Sequence, residues 1–291
     1  MSVAVSSSSR RPGANQAAFL DRLGRRVERV RTHLCLGIDP DPATLPDGFS
    51  PDAAGIEAFS RLLIEAASPF VAAVKANIAF FEAFGSEGIA ALERVRAAIP
   101  SDIPFIADAK RGDIASTSAR QAVGLFDSLG VDAITASPYL GREAISPLLE
   151  RTDRFVFVLC RTSNAGAGEF QDLAIDTDPL YIHVARRFAA WAAAGDQVGL
   201  VVGATAPAEL ARIRAVAAVL PFLVPGLGAQ GGDIEAVLTH GPATTGPAAV
   251  VAGGGLIVSV SRGIAAAGLE STDPGSAIAS AAESWAHKLR C

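Results

Sequence analysis

This chain of 291 residues is short of several things at once, and each shortage narrows what it can be. Its three cysteines, Cys35, Cys160 and Cys291, are odd in number and share no CxxC spacing. That argues against a disulfide framework and against a cysteine-based metal site. Cys35 and Cys160 fall in strand-like runs and read as small buried hydrophobes in a reducing cytosol, so the expected location is cytoplasmic. Aromatic residues make up only 6%, no basic run occurs, and the formal net charge is −5. A nucleic-acid surface is therefore not expected. No apolar run reaches membrane-spanning length, so a membrane is not expected as a partner either. The four histidines, His33, His183, His240 and His287, are scattered, and none ends a candidate strand. No Ser/His/Asp triad is evident. An acidic chain of this kind binds anions with a few placed groups, not with a broad positive field.

What is present is an alternation. Hydrophobic residues make up 50% of the chain, enough for one large core. Short apolar runs alternate with longer helical patterns, the signature of βα units and a parallel sheet. The candidate strands are His33–Asp39, Phe70–Lys75, Ile103–Asp108, Ala133–Ser137, Phe155–Cys160, Val198–Val202, Phe222–Val224 and Ala249–Ala252. Eight such strands predict an α/β fold, a single-domain (β/α)₈ TIM barrel. A doubly wound sheet would need a glycine-rich turn after the first strand, and Gly37-Ile38-Asp39-Pro40-Asp41-Pro42 has none. A leading helix, about Ala17–Arg31, should cap the bottom of the barrel. Residues 16–291 then form one domain, with no solenoid repeat and no linker. Met1 to Asn15 is Ser-rich, with Arg10 and Arg11 and no apolar stretch behind them, and reads as a disordered tail. Its lack of acids leaves a transit peptide as the alternative. The glycine-bearing stretch Ser163–Asp178 is expected to be a mobile loop on the catalytic face.

Barrel chemistry gathers at the C-terminal ends of strands, so polar residues there are the candidates. The run Pro104-Phe105-Ile106-Ala107 ends in Asp108, Lys110 and Asp113. In a strand, Asp108 and Lys110 share one face, and Asp113 falls in the turn that follows. A salt-bridged surface loop is the ordinary alternative. The position at the end of a buried-type strand favours function. Lys75 ends the apolar run Phe70–Val74; it is either a solvated strand end or part of an alternating row Lys75, Asp108, Lys110, Asp113. Alternation keeps both lysines charged despite partial desolvation. A charged lysine is a poor base but a usable proton donor to a carbanion. Gly226, Gly228, Gly231 and Gly232 allow close backbone approach to an anion, and a helical pattern starts at Asp233. Glycines alone simply make turns. Together with Gly253, Gly254, Gly255 and Arg262, they suggest a phosphate site between the last two loops.

Several of these segments resemble one family. ADAKRGDI at 107–114, VKANIAFFE at 74–82, ASPYLG at 136–141, PGLGAQGG at 225–232 and SRG at 261–263 are similar to motifs of the orotidine 5'-phosphate decarboxylase family, in its bacterial-type subfamily. The resemblance implies that Lys75, Asp108, Lys110 and Asp113 form the catalytic tetrad. It further implies loss of CO₂ from orotidine 5'-phosphate to give UMP, the last step of pyrimidine synthesis. Lys110 would protonate a C6 carbanion, with no metal and no organic cofactor. Asp39 would bind the ribose hydroxyls, Ser137 the pyrimidine, and Gln230 and Arg262 the phosphate. Asn77, Pro225, Gly254 and Gly255 join the expected substrate-binding set. Asp113 and Thr117 would reach a partner's site, which implies a homodimer with shared active sites. CRTSNAGAGEFQ at 160–171 resembles a family loop, but Ala165 stands where proline is usual, and Ala76 also replaces a frequent proline. Two alternatives stay open. One is a Mg²⁺-dependent sugar-phosphate decarboxylase of the same barrel superfamily. The other is a non-catalytic UMP-binding barrel.

Overall fold

The computed structural model describes residues 18–227, 231–269 and 271–291. The expected N-terminal tail and Gln230 lie outside the described residues. Eight strands, β1 (Leu34–Ile38), β2 (Ala73–Asn77), β3 (Phe105–Arg111), β4 (Ala133–Ala136), β5 (Phe155–Arg161), β6 (Val198–Val202), β7 (Phe222–Pro225) and β8 (Ile257–Val260), close into a barrel. Their order around it is β1-β8-β7-β6-β5-β4-β3-β2, and every neighbouring pair is parallel. Helices such as Ala53–Ala67, Gly85–Ala98 and Leu180–Ala193 make the crossovers, and Pro274–Lys288 follows the last strand. A strand covered on both sides reads as a continuous apolar run, and β1, Leu-Cys-Leu-Gly-Ile, is buried at all five positions.

Alternation along each strand separates two cores. Leu34, Leu36 and Ile38 face outward into the layer between sheet and helices. Cys35 faces inward, with Ile106, Ala133, Phe157, Val201, Leu223 and Ile257. The leading helix Phe19–Val30 sends Phe19, Leu23 and Val27 into this inner cluster. Phe19 stacks on Phe155 with ring centroids 5.1 Å apart. This plug closes the N-terminal mouth and leaves the C-terminal mouth open. Buried Asp132 secures the plugged end: it accepts from Arg22, from Arg154 at 3.1 Å and from the Phe105 amide at 2.8 Å.

One expected strand is corrected. Ala249–Ala252 does not join the sheet; Gly246–Ala249 is a helical turn and Ala252–Gly255 a 3₁₀ turn. Gly253, Gly254 and Gly255 take φ of +77°, +58° and +67°, a left-handed run that only glycine adopts readily. These glycines turn the chain into β8, not out of it. The expected Phe70–Lys75 strand is also displaced: Ser68–Phe70 is a 3₁₀ turn and β2 begins at Ala73. The stretch expected to be a mobile loop carries structure, with a 3₁₀ turn at Ala165–Ala167, a helical turn at Gly168–Gln171 and a hairpin pairing Ala174–Ile175 with Asp178–Pro179.

Candidate active site

The open mouth holds a charged row. Asp108 on β3 lies between two ammonium groups: Lys75 Nζ is 2.9 Å from its Oδ2 and Lys110 Nζ is 2.7 Å from its Oδ1. The shift in β2 places Lys75 inside the strand, where it is 5% exposed, so it is not a solvated strand end. Burial works against the charge on Lys75, but the Asp39 and Asp108 carboxylates outweigh it and hold its pKa above the usual lysine range. Burial likewise opposes ionisation of Asp108, and Lys75 and Lys110 overcome it, holding the carboxyl well below the usual range. The result is a partly buried carboxylate with a cation on each side.

Lys110 reaches this row through an irregular backbone. The β3–β4 pairing runs through Ile106–Ala133 and Ala107–Ile134, then shifts, and resumes at Arg111–Ala136. Within the shift, Lys110 has φ of +46°, costly for a residue with a side chain. Strain of this kind, of order 1–3 kcal/mol, is characteristic of functional sites. Thr135 of β4, 1% exposed, anchors the distortion. Its hydroxyl donates to Asp108 Oδ1 at 2.8 Å and accepts from the Lys110 amide at 2.9 Å. Nothing in the sequence marks Thr135, because threonine is an ordinary strand residue.

A cavity of about 170 Å³ opens beside the row, lined by Asp39, Lys75, Asp108, Ser163, Pro225, Gly226, Leu227, Ser259, Ser261 and Arg262. Of the expected residues, Asp39, Pro225 and Arg262 therefore join Lys75 and Asp108. Asp39 Oδ1 is buried with no hydrogen-bond partner among the described residues, which leaves an acceptor for a ligand hydroxyl. Ser259 was missed by sequence reasoning; the signal was a lone polar residue at an inward position of the apolar run Ile257-Val258-Ser259-Val260.

Other expected residues lie apart. Asp113 makes no ion pair with either lysine; its Oδ1 accepts from the Ile114 amide at 2.7 Å. The expected row of four is a row of three within one chain, because Asp113 has passed into the turn. Thr117 sits on the helix Ala115–Ala122 beyond it. Asn77 ends β2 beside Asp108 in register, and its side chain accepts from the Ala79 amide at 3.2 Å. Ser137 follows β4, and its amide donates to the Arg111 carbonyl at 2.7 Å. Gly254 and Gly255 precede β8 and so lie at the plugged mouth, where an added Cβ would meet Pro242 at 2.8 Å and Pro221 at 2.9 Å. Their expected contact with substrate is thereby overturned. A larger cavity, about 880 Å³, also lies at the plugged end and is lined by Arg22, Arg25, Arg26, Arg29 and Arg96. Arg22, Arg26, Arg29 and Arg96 there are engaged with Asp132, Asp102 and loop carbonyls, so they serve the scaffold.

Comparison with known proteins agrees with this geometry. The family described as orotidine 5'-phosphate decarboxylase / HUMPS matches residues 32–277. The chain belongs to that family. It is 48% identical to orotidine 5'-phosphate decarboxylase of Thermomicrobium roseum, over 85% of this chain and 86% of that one. The solved structure of Leishmania donovani OMP decarboxylase is 40% identical, with a TM-score of 0.77, over 93% of this chain and 98% of that one. Leishmania donovani UMP synthase is 42% identical, with a TM-score of 0.80; it covers 94% of this chain, which spans only 56% of that longer one. In this orotidine 5'-phosphate decarboxylase / HUMPS barrel, the matched region runs from just before β1 to inside the last helix.

Proposed function

We propose that this chain converts orotidine 5'-phosphate to UMP and CO₂, with Lys75, Asp108 and Lys110 as its catalytic groups. The observation that carries the reading is the carboxylate of Asp108 held between Lys75 and Lys110 at 2.9 and 2.7 Å, at the edge of a cavity that Arg262 also lines. The substrate carboxylate would lie against Asp108. The C6–carboxyl bond breaks, CO₂ leaves, and the electron pair stays on C6. Lys110 then delivers a proton from Nζ to C6 and regains one from solvent. Its positive charge faces the carbanion as it forms, a preorganised electrostatic stabilisation. Lys75 keeps Asp108 ionised and fixed. Repulsion between Asp108 and the substrate carboxylate would raise the ground state.

Arg262 and Gln230 are assigned to the phosphate; Asp39 to the ribose hydroxyls; Ser137 and Asn77 to the base side; Pro225 to the cavity wall. No metal or organic cofactor enters this reading. Among the described residues no helix is long and apolar enough to cross a membrane. The buried free thiols of Cys35 and Cys160 support a reducing, cytoplasmic setting.

The reading includes a homodimer that shares sites. Asp113, which makes no ion pair with its own Lys110, and Thr117 beyond it would each complete the partner's site. Exposed Ile114, Tyr139 and Leu140 flank this edge and suit a covered interface. Two inactive variants test it. In a mixed dimer of Lys110→Ala and Asp113→Asn, one site inherits both lesions and the other none. Random reassortment of equal amounts should restore about a quarter of wild-type activity. If Asp113 serves its own chain, mixing restores nothing.

The reaction itself is tested by incubating the purified protein with orotidine 5'-phosphate and a chelator while following loss of the orotate absorbance. Turnover with UMP as product supports the reading. No turnover with or without chelator, together with no UMP binding, would favour the Mg²⁺-dependent sugar-phosphate alternative, and tight UMP binding without turnover the non-catalytic one.

A further inference from the structure

We infer that Thr135 is a positioning residue for this decarboxylation, its single hydroxyl setting both the Asp108 carboxylate and the Lys110 backbone. The inference rests on the functional reading above. A hydroxyl has one proton to donate and lone pairs to accept with. Thr135 donates to Asp108 Oδ1 at 2.8 Å and accepts from the Lys110 amide at 2.9 Å. Asp108 Oδ1 also receives Lys110 Nζ at 2.7 Å. Oδ1, the threonine hydroxyl, the Lys110 backbone and the Lys110 side chain therefore form one closed circuit.

The ladder explains why a side chain does this work. On β3, the residues Asp108, Ala109 and Lys110 fall between two paired positions, opposite Thr135 alone on β4. Three residues against one leave backbone groups of β3 without ladder partners. The Lys110 amide finds the threonine hydroxyl instead of a carbonyl, and it does so with Lys110 at φ +46°. Without that acceptor, the left-handed conformation has less to hold it, and Nζ is free to swing away from Asp108. Thr135 is buried at 1% exposure and does not line the cavity beside the row, so it acts through Asp108 and Lys110 and not on substrate.

Two substitutions separate this role from packing. Thr135→Val keeps the shape and removes the hydroxyl. Thr135→Ser keeps the hydroxyl and removes a methyl. A positioning role predicts that Thr135→Val loses roughly 10- to 100-fold in kcat, the scale of a misplaced reacting group, with KM within about threefold. UMP affinity, measured by calorimetry, should also stay within about threefold, and Thr135→Ser should keep at least about a third of wild-type kcat. A packing role predicts the reverse order, with serine the worse replacement. The inference is overturned if Thr135→Val keeps kcat within threefold, if Thr135→Ser falls as far as valine, or if Thr135→Val loses UMP binding along with turnover. Should Thr135→Val fail to fold, Thr135→Ser decides alone, by the same limit of about a third of wild-type kcat. Wild type is assayed alongside: no turnover there would overturn the functional reading and this inference with it, whereas an active wild type with an unaffected valine variant overturns this inference alone.

Discussion

Replacing Lys75 with methionine removes one of the two cations that hold Asp108, and the structure indicates how much that should matter. Lys75 is 5% exposed and its ammonium is 2.9 Å from Asp108. Breaking a buried pair from one side costs about 3–5 kcal/mol, because the remaining charge is left uncompensated. Asp108 keeps Lys110 and the Thr135 hydroxyl, so the lower end, about 3 kcal/mol, is expected. For a domain of this size that is a fall in Tm of roughly 5 °C. Lys110→Met removes the other partner, but its side chain is 50% exposed and its pair is solvent-screened. It should cost about 1 kcal/mol or less. The pH dependence follows from the two shifts. Asp108 titrates below its ordinary 3.8 in the folded state, so its contribution is complete above that pH and is lost as pH falls through the folded value. Lys75 titrates above its ordinary 10.5, so its contribution is complete below that pH and lost only in stronger base. The gap between wild type and Lys75→Met should therefore be flat across neutral pH and close in acid. Thermal unfolding followed by circular dichroism at pH 7, 5, 3 and 2 measures it. Equal losses for the two lysine variants, or a gap that widens in acid, would refute the reasoning.

Two further outcomes follow from the same structure. Arg262→Ala should weaken binding of the phosphorylated substrate by about 2–5 kcal/mol, towards the lower end because Arg262 is exposed in the free protein. The loss should shrink greatly for the nucleoside lacking phosphate, and equal losses in a competition assay would place Arg262 elsewhere. His33, 3% exposed, has its pKa pushed down by burial from 6.5 to about 4. Its contribution to stability is complete above pH 6.5 and lost as pH falls through about 4, a total of about 3 kcal/mol. His33→Gln should therefore show a shallower fall in Tm between pH 7 and 4.5 than wild type, and identical slopes would contradict the assignment.

The barrel was legible because its strands are short apolar runs with polar ends, a pattern that local sequence displays directly. The eighth strand failed for a physical reason. Ala249-Val250-Val251-Ala252 and Ile257-Val258-Ser259-Val260 are equally short and apolar, and the glycines between them can leave a strand or enter one. In the fold they take left-handed φ values, pack close to Pro242 and Pro221, and lead into β8. That one error carried Gly254 and Gly255 to the wrong mouth. Lys75, Asp108 and Lys110 were legible as charges interrupting buried runs. Thr135 was not, because its role comes from a slip between neighbouring strands, and pairing register is a tertiary property.

The central claim is that Lys110, held at the carboxylate of Asp108, protonates the carbanion left by CO₂. The most direct measurement is the turnover of orotidine 5'-phosphate by Lys110→Ala, followed by orotate absorbance beside wild type, with UMP affinity measured on the same preparations. The account predicts a fall of several orders of magnitude in turnover, since both the charge and the proton are lost, with far less change in UMP binding. A variant that retains a tenth of wild-type turnover would contradict it.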